Sequence, residues 1–158
     1  MSAPVLLLAA AAVAAALVLV AVVPRLLLTR AQDRLATRLL AETGASYKLL
    51  TRAELCTGSA YRRLPGVLGL TEDALVFHGL FGETETLATA RIQKIVTGTR
   101  LSSGRQLLGR EVLRVARSGG GELEVVLTRA SASAWRSHLG LWAVAERRAA
   151  MDTVTPGR

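Results

Sequence analysis

From Pro4 to Val23 the chain reads PVLLLAAAAVAAALVLVAVV, twenty residues without a charge or a strong polar group. At about 1.5 Å rise per residue, a helix of that length measures about 30 Å, the thickness of a bilayer's hydrocarbon core. The pattern predicts a single transmembrane anchor over residues 1–24. The competing reading is a cleavable signal peptide, but no Lys or Arg precedes the run and its apolar stretch is too long. Within it Ala10 and Ala14, Ala11 and Ala15, and Ala12 and Ala16 are spaced four apart. Small residues on a common face let a second helix approach closely, from a membrane-protein partner or from another copy of this chain. In so alanine-rich a run, composition alone also produces such pairs.

Residues 25–45 read as an amphipathic juxtamembrane helix. Leu28, Leu35 and Leu39 lie near one side, and Arg30, Arg34 and Arg38 recur at i, i+4, i+8 on another. Pro24 marks a kink at its start, Arg38 and Glu42 are spaced to pair, and Gly44 is placed to stop the helix. The arginine stripe fits contact with anionic headgroups, and it fits topology determination with simple solvation as well.

From about Arg52 to Thr128 the period changes to two, which predicts a β domain. Expected strands are 55–62, 66–71, 74–79, 85–90, 91–97, 110–117 and 122–128. The last alternates most clearly: Leu123, Val125 and Leu127 point one way, and Glu122, Glu124 and Thr128 the other. Turns are expected at Leu64-Pro65-Gly66, Thr71-Glu72-Asp73 and Ser118-Gly119-Gly120-Gly121. A helix follows over 133–150, capped by Ser131 or Ser133, with Trp135, Leu139 and Trp142 forming one apolar stripe to close the open end of a bent sheet. Residues 46–150 thus make one domain with a C-terminal cap helix, and 151–158 a loose tail.

Seven short strands and a closing helix is the order of a pleckstrin-homology-like (PH-like) fold. The segment LPGVLGLTEDALVFHG (64–79) resembles the glycine-, leucine- and threonine-patterned hairpin of bacterial PH-like and GRAM-like domains. RIQKIVTG (91–98) is similar to the strand that follows, and the Trp-bearing helix to the family's C-terminal cap. The resemblance covers residues 52–148 and implies a fold that is mainly β with helices. It would be a transmembrane helix followed by a PH-like seven-stranded β-barrel or sandwich with a capping α-helix. It also implies binding and not catalysis. A five-stranded OB-like barrel is the structural alternative, against which strand count and the final helix argue.

Composition sharpens this picture. Twenty Lys plus Arg against twelve Asp plus Glu leave a net charge of +8, yet 51% of residues are hydrophobic. A positive mean hydropathy of +0.35 is unusual for a basic domain, and the apolar excess lies in the anchor. The basic residues after the span, Arg25, Arg30, Arg34 and Arg38, place residues 25–158 in the cytoplasm by the positive-inside rule, with the anchor in the inner (cytoplasmic) membrane. Charge is also polarised along the β region. Residues 64–90 hold four carboxylates and no Lys or Arg, whereas 91–117 hold Arg91, Lys94, Arg100, Arg105, Arg110, Arg114 and Arg117 against one carboxylate. The segment GTRLSSGRQLLGR reads as a mobile loop presenting Arg100, Arg105 and Arg110 to anionic lipid headgroups or a protein partner. Nucleic acid fits poorly, because the basic residues lack interleaved aromatics.

Catalytic chemistry finds little support. His78, His138 and the lone Cys56 share no metal-ligand spacing, and Ser137 beside His138 on a helix points about 100° away from it. Glu72, Asp73, Glu83 and Glu85 fall at expected turns, where carboxylates are solvated, and no cofactor motif is present. Two function classes follow. One is a non-catalytic, single-pass membrane protein whose cytoplasmic PH-like domain binds or scaffolds at the membrane surface. The other is an accessory subunit of a larger respiratory, photosynthetic or transport complex, its helix packed on partner helices.

Overall fold

The computed structural model describes residues 3–42, 46–57 and 62–139, with side chains from residue 11 onward. Its first element is a helix, α1, Ala3–Glu42, of 40 residues with Pro24 inside it. The anchor and the juxtamembrane helix are therefore one continuous element. Pro24 forgoes one i→i−4 hydrogen bond, and the Ala- and Leu-rich turns on either side carry the helix through.

Seven strands follow: β1 Leu49–Cys56, β2 Arg63–Leu70, β3 Ala74–Gly79, β4 Thr84–Ala88, β5 Ile92–Gly98, β6 Arg110–Arg117 and β7 Glu122–Thr128. They form one curled sheet in the order β4-β3-β2-β1-β7-β6-β5, with every neighbouring pair antiparallel. A single 3-10 turn, Thr89–Arg91, joins the two edge strands β4 and β5. Residues 129–139, here α2, are helical. The chain is thus mainly β with a helix at each end of the sheet-forming segment.

The sheet curls because its inner face has a common core to bury. Ala53, Leu55, Leu68, Leu70, Leu75, Phe77, Leu87, Leu113, Val115, Leu123, Val125 and Leu127 meet there, and α2 adds Ala132, Trp135 and Leu139. Trp135 is wholly buried, and its indole Nε1–H donates to Thr51 Oγ1 at 2.8 Å, so the ring's polar edge is satisfied inside the core. Across the concave side, the Arg117 guanidinium on β6 reaches Glu85 Oε1 on β4 at 2.6 Å, tying one end of the sheet to the other half.

Strands β3, β6 and β7 match the sequence expectation residue for residue, and four others differ in ways that have physical causes. The first strand is Leu49–Cys56 and not 55–62, with residues 58–61 outside the described set. Its inward positions are Leu49, Thr51, Ala53 and Leu55, and the small and polar pair in the middle hides the alternation. The second begins at Arg63, so Leu64-Pro65-Gly66 is strand and not turn. Pairing with β3 starts only at Gly66, which leaves Pro65 with β1 as its one ladder partner while its carbonyl accepts from the Leu80 N–H at 2.9 Å. Around the 3-10 turn the fourth shortens to Thr84–Ala88 and the fifth shifts by one residue to Ile92–Gly98. The turn at Gly119, Gly120 and Gly121 is as expected, their φ of +104°, +96° and +87° being values that only glycine adopts readily.

The cap helix starts earlier than 133. Its cap is Thr128, whose Oγ1 accepts from the Ser131 N–H at 3.2 Å. Trp142, the expected end at 150, the tail 151–158 and Gly44 lie outside the described residues.

Candidate functional site

The surface with the most structure built into it is the junction of α1 with the outer face of the sheet. Leu28, Ala31, Gln32, Leu35, Ala36 and Leu39 recur at helical spacing as the covered side of α1, while Arg30, Arg34 and Arg38 face away and are exposed. Gln32 is the pivot. Its side chain is 7% exposed, and its Nε2 donates to the carbonyl of Ala53 on β1 at 3.0 Å and to that of Gly66 on β2 at 2.7 Å. Beside it Asp33 meets Arg52 at 3.3 Å. The helix therefore seats across β1 and β2 through a buried amide and an ion pair as well as through apolar contact.

The same junction opens into a recess of about 130 Å³ lined by Thr29, Gln32, Arg52, Ala53, Glu54, Arg110 and the end of β7. Glu54, largely buried at its edge, holds two arginines: Arg110, in close contact, and Arg63 at 3.5 Å. Arg110 is thus paired with a carboxylate that it shares with Arg63, and two guanidinium groups around one carboxylate leave a net positive charge at this edge. Arg38 is similarly engaged, with Glu42 at 2.6 Å, while Arg30, Arg34, Arg100 and Arg105 make no ion pair among the described residues. Of the wider basic set, Arg114 meets Glu124 at 3.4 Å and Arg117 meets Glu85.

Loop 99–109, which its Gly and Ser content marks as mobile, is tied to the sheet by specific contacts. Leu101 and Leu107 are buried against Val112 and Val126 on the outer face of β6 and β7. The Glu124 carboxylate, 7% exposed, accepts from the Ser102 N–H at 2.7 Å and from Ser102 Oγ at 3.0 Å. Backbone bonds from Leu101 N to Arg105 O at 3.0 Å and from Leu107 N to Thr99 O at 2.8 Å close the loop on itself. Glu124 alternates outward as expected, but the loop covers it. Arg114 also donates to the Arg100 carbonyl at 2.8 Å, so Arg100 is held through its backbone while its side chain is exposed.

Tyr47 lies edge-on to His78 with Oη and Nε2 2.8 Å apart, over the outer face of β2 and β3. Burial pushes the His78 imidazole below its ordinary value and the Tyr47 phenol above its own. Burial also raises the Cys56 thiol, partly offset by Arg63, which makes it a poor nucleophile near neutrality. Among the described residues, no group of three or more His, Cys, Asp or Glu side chains is arranged to hold a metal ion.

Along α1, residues 11–27 are exposed, Ala12, Ala14 and Ala16 included, and Ala10 is described in its backbone alone. The helix is long and apolar enough to cross a membrane. The signal that sequence reasoning missed is Gln32, a lone amide on the leucine-bearing side of an amphipathic helix, which in retrospect asks for buried carbonyl partners.

No family model and no curated protein matches the chain. Among solved structures, the crystal structure of the C-terminal domain of an unknown protein from Leishmania infantum is similar in fold. Its TM-score is 0.52 at 12% identity, covering 68% of this chain and 93% of that one.

Proposed function

We propose that this chain is a non-catalytic, single-pass membrane protein in which α1 crosses the bilayer and carries the curled sheet as a binding or scaffolding module on the cytoplasmic surface. The observation that carries the reading is the seating of Gln32. The helix that holds the apolar run is the same helix that is hydrogen-bonded into β1 and β2, so the sheet is docked directly on the anchor. Thr29, at the recess, lies six positions after Val23, about 9 Å of helix, so the sheet stands close to the headgroups. A module that only needed tethering would be served by a disordered linker. Rigid mounting suits one that must present a fixed face to the membrane or to a partner in its plane.

The strand order, with a helix after β7, supports the PH-like resemblance of residues 64–79 and 91–98. Arg25, Arg30, Arg34 and Arg38 on the flank after the apolar run support the cytoplasmic orientation. The test is a pair of reporters fused after Arg158, one active only in the cytoplasm and one only outside it. Membrane-bound protein with the cytoplasmic reporter active is the expected result. Soluble protein, a mature N-terminus near residue 24, or the opposite reporter active would overturn the reading.

A further inference from the structure

We infer that loop 99–109 is a second membrane contact, in which Leu108 enters the lipid interface and Arg105 lies among the headgroups. This inference rests on the proposal that α1 spans the bilayer, and it deepens that proposal by assigning which part of the β domain faces the lipid.

Position comes first. Arg110, the first residue of β6, shares the recess with Thr29 of α1, which lies about 9 Å along the helix from the end of the apolar run. The polar headgroup layer is about 5–8 Å deep on each side of a bilayer. Leu108 is two residues before Arg110, within about 7 Å of chain, so the loop begins its return to β6 close to the level of Thr29 and within reach of the headgroup layer.

Chemistry points the same way. Leu108 is 90% exposed, more than any other large apolar side chain among the described residues. Fraying does not account for that exposure. Its neighbour Leu107 is buried, Arg110 is clamped by Glu54, and the loop is closed by its own backbone bonds and by Glu124. A rigid loop that turns a leucine outward beside a buried leucine has an apolar point built into it. Residues 99–109 contain Arg100 and Arg105, both exposed, and no carboxylate. An apolar tip flanked by cations is the pattern of segments that seat at an anionic lipid interface. Leu26 and Leu27, three and two residues before Thr29 on α1, are exposed as well. With α1 fixing position and the loop fixing rotation, two contacts would set the attitude of the sheet on the membrane.

The test uses the full chain with Cys56→Ser and a single cysteine labelled with an environment-sensitive NBD probe. The label sits at Leu108→Cys, at Val13→Cys inside the span, or at Glu72→Cys in the exposed β2 to β3 turn. Each protein is reconstituted into phosphatidylcholine vesicles with and without phosphatidylglycerol. Because Leu108 is exposed, its replacement leaves folding intact. The expected result is blue-shifted emission at positions 13 and 108, quenched by deep nitroxide lipids at 13 and by shallow ones at 108, with position 72 remaining water-like. Arg105→Glu should partly reverse the shift at 108 in anionic vesicles and leave 13 unchanged. If 13 is in lipid while 108 stays water-like and open to aqueous iodide, the loop contact is wrong and the span stands. If 13 itself is water-like, both fail.

Discussion

The Gln32 side-chain amide on α1 donates to the Gly66 carbonyl on β2 at 2.7 Å, thirty-four residues away in the chain. Because Nε2 also reaches Ala53 on β1, one amide bridges two paired residues of the sheet, Ala53 and Gly66 being opposite one another in the β1–β2 ladder. A neutral amide can donate both protons at once to two carbonyls, and few other side chains of this length can.

Gln32→Ala should therefore cost about 2 kcal/mol, two hydrogen bonds of about 1 kcal/mol each with buried partners left open. Gln32→Glu should cost more, since a carboxylate has nothing to donate and faces two carbonyl dipoles. Hydrogen exchange of the full chain in detergent checks this. Amides of β1 and β2 should lose protection in both variants, more so in Glu, while those of β5 and β6 change little.

Gly66 itself admits no side chain. A Cβ there would stand 2.2 Å from the His78 carbonyl oxygen and 2.6 Å from Phe77 Cζ, one of them backbone that cannot turn away. Gly66→Ala should destabilise by several kcal/mol or prevent folding, through overpacking of the β2–β3 pair. Gly98, at the end of β5, has open space where a Cβ would go. Gly98→Ala should shift the melting midpoint little in either direction, and parallel thermal melts of the two variants test the contrast.

Trp135 and Thr51 form a pair suited to a double-mutant cycle. Trp135→Phe loses volume and a donor from a fully buried site, and Thr51→Val removes the acceptor at nearly constant shape. The expected coupling is about 1 kcal/mol in favour of the native pair, measured by denaturant unfolding. Additive losses would mean the hydrogen bond contributes nothing beyond packing.

His78 gives the chain a pH dependence of known sign. Its folded value is depressed by burial below the ordinary imidazole value of about 6.5, so the unfolded chain binds the proton more readily. Its contribution to stability is complete above about 6.5 and declines as pH falls toward the folded value, below which it levels off. His78→Asn should flatten that part of the stability profile. An NMR titration of the His78 ring should show a midpoint below the ordinary imidazole value of about 6.5.

Much of this fold is legible in the sequence wherever one face of an element is apolar and the other polar. β7 is the clearest case, with Leu123, Val125 and Leu127 all in the main core. The apolar run of α1 is legible for a different reason, its sheer length without charge. β1 was not, because Thr51 and Ala53 occupy inward positions and Trp135 supplies from another element the bulk that they lack. The candidate site divides in the same way. Arg30 and Arg34 are exposed as their spacing implies, whereas the pairing of Arg110 with Glu54 joins residues fifty-six apart that no local pattern connects. The order in loop 99–109 comes from Glu124, a residue whose alternation alone assigns it to solvent.

The rigid mounting of the sheet on α1 is the claim on which the rest depends, and one distance distribution tests it. Spin labels at Arg34→Cys on the exposed side of α1 and at Glu72→Cys in the exposed β2 to β3 turn, with Cys56→Ser, can be read by pulsed electron resonance with the full chain in lipid nanodiscs. A single narrow distance, the same in detergent and in bilayer and broadened by Gln32→Glu, is the expected result. A broad or multiple distribution in the parent protein would show the sheet moving freely on its anchor and would contradict the account.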